Sequence, residues 1–446
     1  MKHKTTWLVS VLLIILFSAE TAIAQERRPI SLEETINLAV QNSKQLKLNQ
    51  AKIQEAIAAT KEAEDKRLPD ASVSGSVLKM THPQITLQTK PAAGSTGGAA
   101  PNVSSAAYGI LNISLPVYAG GRIRYGIESA NYLQQAVKLD AENDKDAIIL
   151  NAVNAYINLY KAASAVQIVR ENLQQARERT REFGNLEKNG LLARNDLLKA
   201  ELQASNVELS LLDAENNEKL ATLNMDLMLG LPEKTLLATD SSSIRGASTL
   251  LPVDQYEQMA LQHRKDLQAL DQRALAAASG VKAIKAETLP TVALTGGYIA
   301  ADVPHFVTIT NAVNIGVGVQ YNIGSLWKNK AKVVQAEARQ QQLQATREIL
   351  DEGIRLQISQ AYENVLLNEK KIEVFAKAVE QANENFRIVK NKYNNALATT
   401  TELLEADVAQ LQARMNYSFA QADTYGAYNK LLQTAGLINN NSTTSK

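Results

Sequence analysis

Two carboxylates of this sequence follow a turn at a spacing that sets them side by side. Glu402 and Glu405 stand three residues apart, so a helix carries both on one face. The plain account is a solvated helix start, where acidic side chains meet the positive end of the helix dipole. Catalysis finds no comparable grouping. The four histidines, His3, His82, His263 and His305, are scattered. No His-x-x-x-His pair, nucleophile elbow or phosphate loop occurs. Gly75 and Gly296-Gly297 fall in strand-like stretches and Ala119-Gly120-Gly121 ends one, so none opens a nucleotide site. The chain has no cysteine, which excludes disulfides, thiolate metal sites and cysteine nucleophiles. The six methionines are dispersed and suggest no copper path. The expectation is a protein that is not an enzyme, with no cofactor and no metal site.

The acidic pair follows a turn, Asn394 to Thr401, which itself follows one long apolar-seamed stretch. From Trp327 to Tyr393 there is one glycine, Gly353, and no proline, so nothing must break a helix. Its seam runs Ile354, Ile358, Ala361, Val365, Asn368, Ile372, Phe375, Val379, Ala382, Phe386, Val389, Tyr393. The steps alternate four and three, the heptad pattern of supercoiling helices. Such a helix is roughly 100 Å long at 1.5 Å per residue. Asn368 is the one polar seam residue, and register-setting is its expected role.

The chain has 446 residues, with 47 basic and 46 acidic side chains, so no basic excess points to nucleic acid. Aromatic residues are only 5%, as in long solvated helices with small seam residues. Lys2 and Lys4, the apolar run Trp7 to Phe17 and Ala22-Ile23-Ala24 form an export signal over residues 1–24, with Gln25 the first mature residue. The apolar run is too short to span a bilayer, and no later stretch is apolar enough. The mature chain is therefore soluble outside the cytoplasm or embedded through strands.

Ser31 to Leu68 reads as a helix with a capping box at Ser31 and Glu34, stopped at Leu68-Pro69. Strands follow at about 71–79 and 108–117, separated by a Gly-, Pro- and Ser-rich loop at about 81–105. Val73, Gly75 and Val77 alternate with serines in the first. Leu111, Ile113 and Leu115 alternate with Asn112 and Ser114 in the second, which Pro116 closes. A long helix runs from Arg122 to Lys188 and Asn189-Gly190 breaks it. Another spans Asn195 to Leu229, ending at Gly230-Leu231-Pro232, and residues 233–253 form an irregular linker.

The chain then repeats itself. A shift of 221 carries Leu68-Pro69 onto Leu289-Pro290 and Gly75 onto Gly296. A shift of 206 carries Ala155-Tyr156 onto Ala361-Tyr362, Gly190 onto Ala396 and Gly230 onto Gly436. Residues 25–232 and 254–438 are two copies of one pattern, with a disordered tail at 439–446. The second pair of strands is expected at about 291–300 and 312–321, with a loop at 301–311. The same shift places Asp196 and Lys199 where Glu402 and Glu405 stand. Strands alternating apolar with small polar residues have the texture of outer-membrane barrels, and four strands need more copies to close one.

The pattern resembles the TolC family of outer-membrane efflux proteins. The resemblance rests on Ala260 to Tyr298, on Leu115-Pro116-Val117-Tyr118-Ala119-Gly120-Gly121-Arg122, on the turn from Tyr393 to Ala406, and on Ala435-Gly436-Leu437. It spans Ser31 to Ile438. It implies a mainly α fold with a small β part. Long coiled-coil hairpins of a homotrimer form a periplasmic barrel, and four β-strands per chain make a 12-stranded barrel in the outer membrane of a diderm bacterium. It implies a passive, gated conduit for efflux or secretion that works with a periplasmic adaptor and an inner-membrane pump (RND, ABC or MFS type). It implies an aperture at the tip turns Asn189-Gly190 and Asn395-Ala396, ringed by Asp196, Glu402 and Glu405, and helix-to-barrel junctions at Pro69, Pro116 and Pro290. The family's usual tip glycine and basic latch are replaced here by Ala396 and Ala398; Lys188 and Arg194 are the candidates to replace the latch. The rivals are an adhesive coiled-coil trimer without transport and a soluble periplasmic adaptor.

Overall fold

The structure, a computed structural model, describes residues 28–81, 103–240, 250–304 and 306–441. The export signal, most of the 81–105 loop and the last five residues of the expected tail lie outside the described residues. In chain order the elements are β1 (Arg28–Ile30), α1 (Leu32–Asn42), α2 (Lys44–Asp65), β2 (Asp70–Lys79), β3 (Ser105–Tyr118), α3 (Arg122–Lys188), α4 (Arg194–Leu229), β4 (Leu237–Thr239), α5 (Val253–His263), α6 (Lys265–Ala286), β5 (Thr291–Val303), β6 (Val307–Gln320), α7 (Ser325–Asn394), α8 (Thr400–Thr434) and α9 (Ile438–Asn441). The succession of two helices, two strands, a long helix, a turn and a helix occurs twice. The chain divides into two compact units, one of residues 49–141 and 265–350, the other of the remainder.

The first unit holds a four-stranded antiparallel sheet in the order β2-β3-β5-β6. Its register sorts side chains by type. Val73, Leu111, Tyr298 and Val313 lie in one row across the four strands, and Ala71, Ile113, Gly296 and Ile315 in the next row on the same face. The opposite face carries Ser72, Asn112, Gly297 and Asn314. The apolar face has no cover among the described residues: Val73, Val77 and Ile315 are each 82% exposed. Strands β2 and β6 are free edges of this sheet.

Two expectations for this unit change. The 301–311 loop is instead mostly strand, with β5 reaching Val303 and β6 starting at Val307. The reason is a bulge: Ile299 pairs with Ala312 but Ala301 with Ile309, and Asn311 takes φ +59°. The extra residue reverses the alternation, so the period-2 signal stops there. Pro116 is not a junction but lies inside β3, beside a register shift before Tyr118. The pairing of β2 ends at Asp70 opposite Ser114, so Pro116 needs no amide donor on that side. Pro69 and Pro290 do directly precede β2 and β5. At the start of α3, Gly120 has φ +62°, and a Cβ there would lie 2.7 Å from Leu289 Cβ and 2.9 Å from the Ala286 carbonyl. Only glycine fits that approach.

In the second unit the expected single helix from Ser31 to Leu68 is two. Ser43, at φ −60° and ψ 118°, separates α1 from α2. Arg264, at φ −65° and ψ 122°, separates α5 from α6 in the second repeat. Tertiary docking holds both breaks. Asn42 Nδ2 donates to the Leu229 carbonyl at 2.7 Å, beside left-handed Gly230. Arg264 Nη1 donates to the Thr434 carbonyl at 3.3 Å, beside left-handed Gly436. The capping box at Ser31 is half formed: Ser31 Oγ accepts from the Glu34 amide, but the Glu34 carboxylate pairs with Arg28.

The linker at 233–253 is not wholly irregular. Leu237–Thr239 pairs in parallel with Arg28–Ile30. A three-residue strand is too short to show a period. Both strands enter a core with Tyr156, Leu159, Met225 and Leu229. The Tyr156 hydroxyl accepts from the Asp240 amide at 2.9 Å. The tail begins inside α9, whose Ile438 is buried.

Asp226, in the last turn of α4, is fully buried, and among the described residues neither carboxylate oxygen has a close hydrogen-bond partner. Burial pushes its pKa up from the usual carboxylate value, opposed in part by the Thr235 backbone amide. The residue 206 positions on is Leu432, also buried. The folded state therefore holds this proton at a pH where the unfolded chain has lost it. Stability falls as pH rises from the ordinary carboxylate value through the raised one. Asp226→Leu is expected to remove that slope and to stabilise the protein at neutral pH by about 1–3 kcal/mol, read from denaturant midpoints over a pH series.

Candidate functional site

The two tip turns have the same backbone, offset by 206. Asn189 Nδ2 donates to the Asn185 carbonyl at 2.7 Å, and Asn395 Nδ2 to the Asn391 carbonyl at 2.8 Å. Gly190 and Ala396 follow, both left-handed, at φ +71° and +58°. The Leu191 amide then reaches back to the Leu186 carbonyl and Leu397 to Lys392, closing each helix with a Schellman bond. Leu191 and Leu397 are thrown outward, 74% and 76% exposed. A left-handed alanine costs about 1–2 kcal/mol that glycine does not. Ala396→Gly is expected to stabilise the tip by about 0.5–1 kcal/mol after the added unfolded-state entropy. A rise in the unfolding midpoint checks it.

Beyond the turns the repeats diverge. In the first, Asp196 pairs with Lys199 at 3.3 Å, and Lys199 Nζ donates to Thr401 Oγ1 at 3.3 Å, joining α4 to α8. Arg194 approaches Glu187 at 3.7 Å. Lys188 is exposed and makes no ion pair within the described residues. In the second, Thr399 and Glu402 form a full capping box: Thr399 N–H donates to Glu402 Oε2 at 2.7 Å, and the Glu402 amide donates to Thr399 Oγ1. The Thr399 amide and hydroxyl, with Lys392 nearby, hold the Glu402 carboxyl below its usual pKa. Glu405 is exposed and has no hydrogen-bond or ion-pair partner among the described residues. The two acids of the sequence pair thus do different work. Glu402 starts the helix, and Glu405 keeps its carboxylate exposed to solvent.

Behind the turns, Phe183, Leu197, Ala200 and Leu403 form a small core with Phe386, Val389 and Tyr393. The Phe183 and Tyr393 rings stack at 5.5 Å. Two turns into α8, Asp407 is fully buried. It accepts from Arg179 Nη1 at 3.0 Å and from Asn172 Nδ2 at 3.4 Å. The Arg179 guanidinium lies 5.9 Å from the Phe386 ring centre. Sequence reading missed this cluster, although a charge in the seam Leu403, Asp407, Leu411 was a visible signal. Asn368 turns back on its own helix, donating to the Asn364 carbonyl at 2.7 Å. Among the described residues there is no cluster of His, Cys, Asp or Glu able to hold a metal ion. None of the described helices is long and apolar enough to cross a membrane.

The profile of the outer membrane efflux protein family matches residues 35–231 and 257–437, most of the chain and both repeats. The chain belongs to the outer membrane efflux protein family. Among relatives of this efflux protein, the outer membrane efflux protein BepC of Brucella suis biovar 1 (strain 1330) is 23% identical over 313 residues, 68% of each chain. The solved outer-membrane channel OprN shares the fold at a TM-score of 0.77, with 19% identity over 91% of this chain and 90% of its own. The outer membrane protein VceC of Vibrio cholerae does so at 0.74, with 22% identity over 91% and 96%. The efflux protein is therefore an outer-membrane duct, mainly α with a small strand part. The adhesive-stalk rival gains no support from these comparisons, and members of the family are channels rather than enzymes.

Proposed function

We propose that three copies of this efflux protein form a gated, water-filled conduit that conducts passively and is energised by others. The uncovered apolar face of β2-β3-β5-β6, with two free edges, carries the reading. Lipid covers such a face, and pairing edges with further copies gives a closed barrel of twelve strands. The tip turns form the gate, with one Glu405 from each copy ringing the aperture. Leu191 and Leu397, outward at equivalent turns, give a periplasmic adaptor an apolar foothold, and an inner-membrane pump of RND, ABC or MFS type supplies the energy.

Planar-bilayer recording tests this directly. Purified protein is expected to give discrete conductance steps. A protein that never conducts, even with Glu402 and Glu405 both replaced by Ala, contradicts the duct. Glu405→Gln is expected to weaken block by divalent cations by about tenfold, an electrostatic loss of roughly 1.4 kcal/mol. Glu402→Gln is expected to act mainly on the helix start and leave block nearly unchanged. Equal effects on block from both would contradict the division of labour between them.

A further inference from the structure

Where the four-stranded sheet meets its helices, Tyr118 ends β3 opposite Val292, and Gln320 ends β6 opposite Thr291. The helix ends gather just beyond. Buried Asn329 donates from Nδ2 to the Ile284 carbonyl at 2.6 Å, which sets the start of α7 against the end of α6. The Lys282 ammonium of α6 lies 5.8 Å from the ring centre of Tyr125 in α3. Thr60 of α2 donates to the Ala130 carbonyl of α3 at 3.3 Å. Across this junction the exposed side chains change class in order. Tyr118 and Tyr321 continue the apolar face by parity, and Trp327 follows, 62% exposed. Exposed basic residues come next: Lys66 and Arg67 after α2, Arg122 and Arg124 opening α3, Lys328 and Lys330 in the first turns of α7. None of them makes an ion pair within the described residues. Acidic neighbours are engaged or elsewhere. Asp65 pairs with Lys61, Glu287 with Lys332 and Glu337 with Lys285. Asp70 lies on the face of Ser72, opposite the apolar one. Glu62, Glu64 and Glu128 stand farther along their helices from the sheet.

We propose, on the reading above that lipid covers the apolar face, that these basic residues form a collar that binds anionic phospholipid headgroups where the helices leave the sheet. The order apolar, aromatic, cationic is the depth order of a membrane surface: hydrocarbon, headgroup boundary, phosphate. The helix dipole supplies a second reason. Neither α3 nor α7 has an acidic residue in its first turn, and both open with cations at the positive end of the dipole. The helices that start at the tip, α4 and α8, open with Asp196 and Glu402 instead. In water Arg122, Arg124, Lys328 and Lys330 weaken their helix starts. Against phosphate the same cations and the free helix amides act together. The far end of the sheet has no such layer. Its apolar face carries Lys79 and Asp302, one charge of each sign, and Asp302 accepts from Thr308 Oγ1 at 2.7 Å. Charge complementarity therefore selects lipid of net negative charge, of the phosphatidylglycerol type, at the helix end alone.

Trp327 reports on the collar directly. With the expected export signal removed it is the single tryptophan of the chain, and Lys328 follows it. The full mature protein is reconstituted in phosphatidylcholine vesicles that carry a small share of brominated lipid. Brominated phosphatidylglycerol is expected to quench Trp327 about fivefold more efficiently than brominated phosphatidylcholine, the preference that one basic side chain supplies at an anionic surface. High salt is expected to remove most of the difference. Arg122→Gln, Arg124→Gln, Lys328→Gln and Lys330→Gln combined are expected to bring the two lipids to near equality. Lys371→Gln with Lys390→Gln, on α7 far from the sheet, is expected to keep the preference. Equal quenching of the unaltered protein by both lipids overturns the collar and leaves the barrel reading intact. A combined variant that keeps the full preference overturns it as well, and so does a control that loses the preference as completely. Quenching by neither lipid, in protein that still gives conductance steps, overturns the collar alone. Quenching by neither, in protein that gives no steps, overturns the lipid reading and the collar with it.

Discussion

Asp407→Ala is expected to destabilise the protein by about 3–5 kcal/mol, the largest single-residue effect at the tip. The substitution leaves the Arg179 guanidinium almost wholly buried with no counter-charge, and leaves the Asn172 amide without its acceptor. The cost is the stranded cation more than the lost attraction. Arg179→Met combined with Asp407→Leu is therefore expected to recover most of the stability, since apolar replacement of both partners removes the desolvation cost as well. Denaturant midpoints of the closed cycle, wild type, Arg179→Met, Asp407→Leu and the two combined, measure the coupling. The pair also ties α8, which begins at the tip turn proposed as the gate, to α3. Asp407→Ala is accordingly expected to raise open probability in bilayer recordings, and the apolar double to leave it closer to wild type. A loss below about 1 kcal/mol in the single would mean that water already reaches Arg179.

Ile315→Arg is expected to cost about 2–4 kcal/mol and to impair insertion, as for a charge on the lipid face of a barrel. Ile315 lies on the uncovered apolar face, in the row of Ala71, Ile113 and Gly296. Its neighbour Asn314 points to the opposite face, with Ser72, Asn112 and Gly297. Asn314→Arg is expected to be accepted, because that face lines water, and to alter conductance instead. The comparison holds strand, depth and side chain constant and changes only the face. Membrane-fraction yield of folded trimer reads the first effect and single-channel conductance the second. Equal yields from both variants would mean that the apolar face is not in lipid.

The long helices and the sheet were legible because each is specified by a period that needs no distant partner to be seen. The heptad from Ile354 to Tyr393 marks α7, and valines alternating with serines mark β2. The duplication was legible too, since two copies of one pattern are compared with each other rather than with a structure. The acidic pair at the tip was visible as a spacing, but its roles were not. Whether a carboxylate caps a helix or faces solvent depends on one torsion, and Thr399 takes Glu402 while Glu405 has no comparable neighbour.

What the sequence determined by itself was therefore local and periodic: helix, strand, turn, repeat and the class of protein they resemble. What only the tertiary structure decided was where distant segments meet. The helix breaks at Ser43 and Arg264 carry no glycine or proline signal; they exist because the ends of α4 and α8 dock there through Leu229 and Thr434. The strand Leu237–Thr239 exists because Arg28–Ile30 offers it a partner. The pairing of Arg179 with Asp407 spans 228 positions. Neither residue names the other, because burial and a counter-charge belong to the packed arrangement and not to either segment alone.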